Sequence, residues 1–301
     1  MGGEGIKRIM YNKYKPYFLV LPFLLIMVTI FIGGVINGII QSLGYLPMVG
    51  LNEITFKFYS EVLKDKEFIN SLSYTLYISL VSSIISVLIG VFIAFLLNKV
   101  KKDNKLSYAL YQTPIIIPHL VAVLMISYII SQTGIISRVI YALGIVNDPS
   151  QFPLFVYDNK GIGIILVYLY KQVPFVTMTV YAVLKNLNKG LRDVSLNLGA
   201  SPRQTLFYVI LPLLAPSILS AFLITFAFDF GAFEVPFLLG SPSKVTLPVK
   251  AYIDYINPDF AFRPYTMVIN MIISIISMLL VWGYMKIFKH FTRQGREGGI
   301  I

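Results

Sequence analysis

Six long apolar runs divide this sequence, and they constrain its fold more than any other feature. A transmembrane helix needs about 20 consecutive apolar residues, and each run reaches that length. Runs this continuous predict helices, because a membrane barrel would need short segments in which apolar and polar residues alternate. The six predicted spans are residues 16–40, 72–97, 106–130, 162–184, 213–239 and 265–288.

The composition agrees with a protein that lies in lipid. Hydrophobic residues make up 56% of the chain and charged residues 13%, whereas a soluble domain carries about 25% charged residues. The sequence therefore predicts an all-α integral membrane protein, with residues 1–301 forming a single transmembrane domain. The first run is too long for the apolar part of a signal peptide and lacks a small-residue cleavage site, so we interpret it as an uncleaved span.

Lysine and arginine are distributed unevenly among the loops, and this predicts the orientation of the chain. Basic residues cluster at 7–15, 99–105, 185–203 and 286–296. Loops with such an excess remain in the cytoplasm, and these four segments fall on one side of a six-span chain. We therefore expect both termini to be cytoplasmic. The net charge of +11 then reflects topology and contact with anionic lipids, and not binding to nucleic acid.

Several classes of function lack their usual residues in this sequence. There is no cysteine, and two histidines are too few for a metal cluster. No GxxxxGK[ST] stretch is present to hold the phosphates of ATP, and neither HExxH nor a GxSxG with plausible partners occurs. An enzyme is therefore poorly supported.

The polar segment 187–212, between the fourth and fifth runs, has the pattern of two short helices. Apolar residues recur in it at helical spacing: Leu187, Leu191, Val194 and Leu198. Gly199 is expected to end the first helix. Ser201 and Pro202 suit the N-cap and first position of a second helix, and Gln204 completes a capping box. An ordinary amphipathic connector would show the same pattern.

Residues in this segment resemble the EAA loop of permease subunits of type I ABC importers, the binding-protein-dependent transport systems. Asp193 occupies the acidic position, Gly199 and Ala200 follow at the family's spacing, and Pro212 closes the motif after Leu211. The triplet that begins at Asp193 lacks the family's two alanines. The resemblance extends over nearly the whole chain, and FGAFEVPFLLGSP followed by TLPV is most similar to the branches that handle polyamines, ferric iron, inorganic oxyanions or sugars.

The resemblance implies a permease that forms half of the path for a small polar solute in the plasma membrane of a prokaryote. It implies that the segment 187–212 is a coupling loop that docks on a cytoplasmic ATPase. The implied coupling residues are Asp193, Gly199, Ala200 and Pro212, with Arg203 as an additional ion-pair donor. The implied partners are an ABC ATPase dimer that binds ATP and Mg²⁺, a second permease of the same or related sequence, and an extracytoplasmic solute-binding protein. The chain itself would hold no cofactor.

Ionisable side chains occur inside the third, fourth and fifth predicted spans, namely those of His119, Lys171, Asp229 and Glu234. A charge at the bilayer centre costs at least about 2.5–3.5 kcal/mol, so these groups should face protein or water. Lys171 and Asp229, at matching depths, could form a structural pair. Alternatively, Asp229 and Glu234 could line the path and contact the solute. For His119, which follows Pro118, we expect a hydrogen bond to a neighbouring helix.

Two other classes of protein remain open at this point. A secondary transporter would use Lys171, Asp229 and Glu234 as a proton or ion relay, although it would usually contain more spans and inverted repeats. A structural or assembly subunit without a path of its own is the third class. Neighbouring genes for an ATPase, a second permease and a binding protein would favour the importer.

Overall fold

The structure is a computed structural model that describes residues 3–99, 105–187 and 189–297. These residues form helices, and the only extended pairing among them is an isolated bridge. Six helical segments in this part of the chain are long and apolar enough to cross a membrane: Lys15–Ser42, Lys66–Lys99, His119–Ala142, Ile162–Asn186, Pro202–Gly231 and Phe260–Lys286. The predicted all-α membrane fold with six spans is therefore confirmed.

The helices follow one another with short connections. In chain order, α1 to α13 are Gly3–Ser42, Lys57–Lys64, Lys66–Lys99, Lys105–Ile116, His119–Ile130, Ile135–Ala142, Ile162–Asn186, Lys189–Asn197, Pro202–Gln204, Leu211–Gly231, Glu234–Leu239, Leu247–Tyr255 and Arg263–Glu297. A π-helical segment, Thr205–Ile210, joins α9 to α10.

The contacts divide the chain into two units. The first comprises the described residues of 1–63 and 254–271. In it, the Phe58 ring packs edge-on against Tyr265 at 5.1 Å between centroids, and the Tyr265 hydroxyl donates to Oε2 of Glu61 at 2.6 Å. These contacts hold α2 against the start of α13.

The second unit comprises the described residues of 64–253 and 272–301, and its centre is the packing of α3 against α7 and α10. One face of α3 buries small polar residues: Ser71, Thr75, Ser79, Ser82, Ser83 and Ser86. The hydroxyls of Thr75, Ser79 and Ser82 donate to the carbonyl one turn earlier, as Ser79 does to Thr75 at 2.8 Å. Small side chains let membrane helices approach closely. A Cβ at Gly90 would come within 2.7 Å of Val176, so this approach requires glycine.

Two of the predicted spans contain a break. In the run 106–130, α4 ends at Ile116 and α5 begins at His119. Pro118 explains this break, because proline disfavours a helical conformation in the preceding residue and cannot donate a helical hydrogen bond.

The second break divides the run 213–239, whose helix ends at Gly231 instead of Leu239. Ala232 is extended, with φ −71° and ψ 133°, and α11 begins at Glu234. Pro236 supplies the reason. Its ring would clash with the carbonyl of Ala232 in a continuous helix, and the break removes that clash.

Candidate functional site

The first helix of the segment 187–212 ends in a tight turn at Gly199. The Gly199 N–H donates to the carbonyl of Leu196 at 3.0 Å, and the Ala200 N–H donates to that of Ser195 at 3.1 Å. This pair of bonds is a Schellman motif, which requires the left-handed backbone that Gly199 adopts at φ +87°. The predicted helix end is confirmed.

The second helix begins with the predicted capping box. The Ser201 N–H donates to Oε1 of Gln204 at 2.8 Å, and the Gln204 N–H donates to Oγ of Ser201 at 3.3 Å. Pro202 occupies the first turn, where its missing N–H costs nothing. Both ends of the turn are therefore fixed by local hydrogen bonds.

The π-helical segment Thr205–Ile210 was not predicted. It lies just before Pro212, whose ring would crowd the carbonyl of Tyr208 in a regular α-helix. Thr205 is buried and its hydroxyl lies 2.9 Å from that of Ser195. Ser195 thus ties α8 to the segment that leads into α10, and it stands where the family usually has alanine.

The outer surface of this loop carries apolar and charged groups together. Leu198 is 83% exposed and Val194 is 55% exposed, although both belong to the apolar face of the predicted helix. Asp193 and Arg203 are also exposed. A small cavity of about 240 Å³ lies beside the loop, and its lining includes Asn98 and Asp193. The loop therefore presents to its surroundings an apolar ridge flanked by charges of both signs.

Asp229 lies in the interior of the second unit, only 3% exposed. Its Oδ2 accepts a hydrogen bond from Oγ of Ser82 at 2.5 Å, and its Oδ1 accepts one from Nε2 of Gln172 at 2.5 Å. Oγ of Ser86 in turn donates to Oε1 of Gln172 at 3.1 Å. Asp229 therefore joins the end of α10 to both α3 and α7. Gln172 was not among the predicted site residues, although an amide inside a span is itself a signal of interhelical hydrogen bonding.

Lys171 has different partners from those predicted. Its ammonium donates to the carbonyl of Ile115 at 3.1 Å and to that of Ile117. These carbonyls are released where α4 ends, so Lys171 caps the first break. The structure does not form the predicted ion pair between Lys171 and Asp229. Consecutive helix residues point about 100° apart, so Lys171 and Gln172 face different neighbours.

His119 lies at the start of α5, beside the same break. Its ring stacks on Phe228 of α10, with 5.1 Å between centroids, in place of the hydrogen bond that we expected. His119 begins α5 and Glu234 begins α11, and these two helices pack against each other. The structure thus places His119 and Lys171 at the first break and Glu234 directly after the second, whereas Asp229 is hydrogen-bonded to Ser82 and Gln172.

Comparisons with known proteins agree with this geometry. Residues 86–294 match the family described as binding-protein-dependent transport system inner membrane component. The spermidine/putrescine transport system permease protein PotB of Haemophilus influenzae is 27% identical over 229 residues, which cover 75% of each chain. The inner membrane ABC transporter permease protein YdcU of Escherichia coli K12 is 44% identical over 85 residues, 28% of this chain and 27% of that one.

Solved structures show the same fold at lower identity. A chain of a bacterial ABC transporter that imports the acidic polysaccharide alginate superposes with a TM-score of 0.73 at 17% identity, over 95% of this chain and 98% of that one. A chain of the MetNI methionine ABC transporter gives 0.54 at 19% identity, over 74% and 95%. The chain therefore belongs to the binding-protein-dependent transport system inner membrane components, a family of ABC importer permeases and not of enzymes.

Proposed function

We propose that this chain forms half of the translocation path for a small polar solute and receives its energy from a separate ATPase at the loop 187–212. The observation that carries the proposal is the form of this loop. It is two short helices with fixed ends, and it exposes Val194 and Leu198 where a soluble partner could bury them. An ordinary connector has no need of an exposed apolar ridge.

Rigidity suits the loop to transmit a displacement. The Schellman turn and the capping box fix the angle between α8 and α9, and the Ser195–Thr205 contact fixes α8 to the π-helical segment. That segment continues directly into α10. A push on the loop would therefore move α10 as a body, whereas a disordered loop would absorb it.

The same movement would displace the C-terminal end of α10, which lies beside the second break and is linked through α7 to the first. Asp229 lies one turn before the second break and is bonded to Gln172, and the adjacent Lys171 caps the first break. We propose that Asp229 is structural and that His119, Lys171 and Glu234 lie along the solute path. Broken helices at membrane depth are typical of such paths, because they expose backbone groups to a water-filled cavity.

The partners follow from the same proposal. We infer an ATPase dimer that binds ATP and Mg²⁺, a second permease chain, and an extracytoplasmic binding protein, with both termini of this chain in the cytoplasm of a prokaryote. In support, one solved relative is a bacterial alginate ABC transporter in complex with a pentasaccharide-bound periplasmic protein. Six spans are few to enclose a path for a polar solute, which supports a second permease.

Copurification and ATP hydrolysis test this function. The chain, expressed with the ATPase, second permease and binding protein encoded beside it, should purify as one complex. Its ATP hydrolysis should rise when the binding protein is loaded with one of a panel of sugars, polyamines, oxyanions or chelated metals. Uptake driven by a proton or sodium gradient without any ATPase would contradict the importer and support a secondary transporter.

A further inference from the structure

A polar cavity of about 690 Å³ lies at the opposite end of the second unit from the loop 187–212. Glu67 and Tyr74, near the start of α3, line this cavity, whereas Asn98, near the end of α3, lines the small cavity beside the loop. Thirty-four residues of α3 separate these ends by about 50 Å. The volume lies within the range of sites that hold small molecules, about 300–1,000 Å³.

One side of the cavity is a compact ion-pair network. Lys250 of α12 lies 3.1 Å from Oε2 of Glu67 and 3.9 Å from Oδ2 of Asp65, and only 12% of its side chain is exposed. These two carboxylates neutralise this lysine and fix it in place. Lys250 therefore forms part of the cavity wall, but its positive charge is already paired with these two carboxylates.

Two further lysines leave the cavity positive. Lys160 and Lys244 both line it, and the described residues place no carboxylate within ion-pair distance of either. Asp158, close in sequence to Lys160, accepts the backbone N–H of Lys160 at 2.9 Å and that of Ile162 at 3.1 Å. Its charge is directed at the first turn of α7, where a carboxylate stabilises the helix dipole.

The rest of the lining suits a ligand rich in oxygen atoms. The rings of Tyr74 and Tyr77, which both line the cavity, stack at 6.4 Å between centroids and 22° between planes. Asn70 and Ser73 lie on the same helix, and Asn159 accepts a hydrogen bond from Ser243 at 2.7 Å across the cavity rim. Amides and hydroxyls bind hydroxyl groups, and ammonium groups bind a carboxylate or phosphate.

We propose that this cavity binds an oxygen-rich organic anion, namely a carboxylated or phosphorylated polyol. The identification of that anion as the transported solute, at its first contact site on this chain, rests on the proposed function, whereas the binding itself does not. A polyamine would meet the ammonium groups of Lys160 and Lys244 and would be repelled. A cavity with this charge would not suit the entry site of a polyamine permease.

Equilibrium binding to the purified complex in phosphatidylcholine nanodiscs tests the site, with glucuronate, glucose and putrescine as probes. Glucuronate should bind more tightly than glucose, and putrescine should not bind. The double variant Lys160→Gln/Lys244→Gln should raise the Kd for glucuronate at least about tenfold, because each ammonium makes a charge-assisted bond. The control variant Lys57→Gln/Lys64→Gln removes the same charge elsewhere in the chain and should leave that Kd unchanged.

A phospholipid headgroup offers the same chemistry as a soluble anion, since phosphatidylglycerol carries a phosphorylated polyol. Nanodiscs that contain phosphatidylglycerol separate the two sources. If the wild type retains this lipid, Lys160→Gln/Lys244→Gln loses it and glucuronate does not bind, the site is supported and its occupant is a lipid. Binding of putrescine, or failure of the double variant to affect either anion, would overturn the proposal. Intact glucuronate binding without ATP-driven uptake would contradict only the proposed function.

Discussion

Gln172 donates a hydrogen bond from Nε2 to Oδ1 of Asp229 at 2.5 Å, and it thereby joins α7 to the last turns of α10. Its neighbour Lys171 caps the carbonyls of Ile115 and Ile117 at the end of α4. Two adjacent residues of α7 therefore contact both of the interrupted spans. A movement of α7 relative to α4 and α10 would disturb both contacts together.

Removing the amide of Gln172 should destabilise the second unit. Gln172→Leu leaves the buried Asp229 carboxylate with fewer donors, and an unsatisfied buried acceptor costs about 1–3 kcal/mol. We expect a lower midpoint of thermal unfolding in detergent and slower uptake. Asp229→Asn is the matched control, since it preserves most of the hydrogen bonds and removes the charge. Uptake that survives Asp229→Asn supports a structural Asp229, and loss of uptake in a stable Asp229→Asn protein would argue for direct contact with the solute.

Exchanging the charges of Lys171 and Asp229 should not restore activity. The two side chains have separate partners, so Lys171→Asp with Asp229→Lys places a carboxylate against carbonyl oxygens and an ammonium among serines. We expect uptake by the double variant to be no higher than that of either single variant. Lys171→Arg, which keeps a donor for the carbonyls, should retain part of the uptake. Recovery in the double exchange would show that the two residues do pair.

Gly199 should tolerate asparagine and not leucine. Its backbone is left-handed, and this conformation costs an ordinary L-residue about 1–2 kcal/mol, whereas asparagine adopts it more readily. A Cβ at this position would meet nothing within 4 Å, so backbone strain and not a clash is the expected cause. Gly199→Leu should insert into the membrane at normal levels but lose ATP-driven uptake, and Gly199→Asn should keep most of it. Normal uptake by Gly199→Leu would contradict the coupling role of this turn.

The contact between Ser195 and Thr205 should contribute to coupling as a pair. Ser195→Ala and Thr205→Val each remove one hydroxyl of a bond worth about 0.5–1.5 kcal/mol. We expect each variant to lower the number of solute molecules taken up per ATP hydrolysed, and the double variant to be no worse than either single one. Additive effects would mean that the two hydroxyls act separately.

Local features of the fold could be predicted from the sequence, because their causes lie within a few residues. The turn at Gly199 and the capping box at Ser201 depend only on neighbouring groups, and both were predicted correctly. The apolar runs also predicted the number of spans, although the third candidate span in the described residues is His119–Ala142 and not the predicted run 106–130. Pro118 and Pro236 are local signals as well, because each proline interrupts its helix whatever the surrounding residues are.

The partners of charged groups could not be predicted in the same way. Depth along a span suggested that Lys171 and Asp229 pair, but the choice of partner depends on the direction of each side chain around its helix axis. The uncharged Gln172 and Ser82 satisfy Asp229, and freed backbone carbonyls satisfy Lys171. These partners are uncharged, so the residue types in the sequence do not indicate that they pair with a charged group.

Site-specific crosslinking of the loop 187–212 tests the central claim most directly. The natural chain has no cysteine, so a single introduced thiol gives an unambiguous product. Leu198→Cys places it on the exposed ridge of the loop, and Met48→Cys, at a residue that is 95% exposed in a predicted external loop, is the control. The proposed function predicts that Leu198→Cys crosslinks to the ATPase and that ATP changes the yield, whereas Met48→Cys gives no such product. A crosslink to the ATPase from Met48→Cys and none from Leu198→Cys would contradict it.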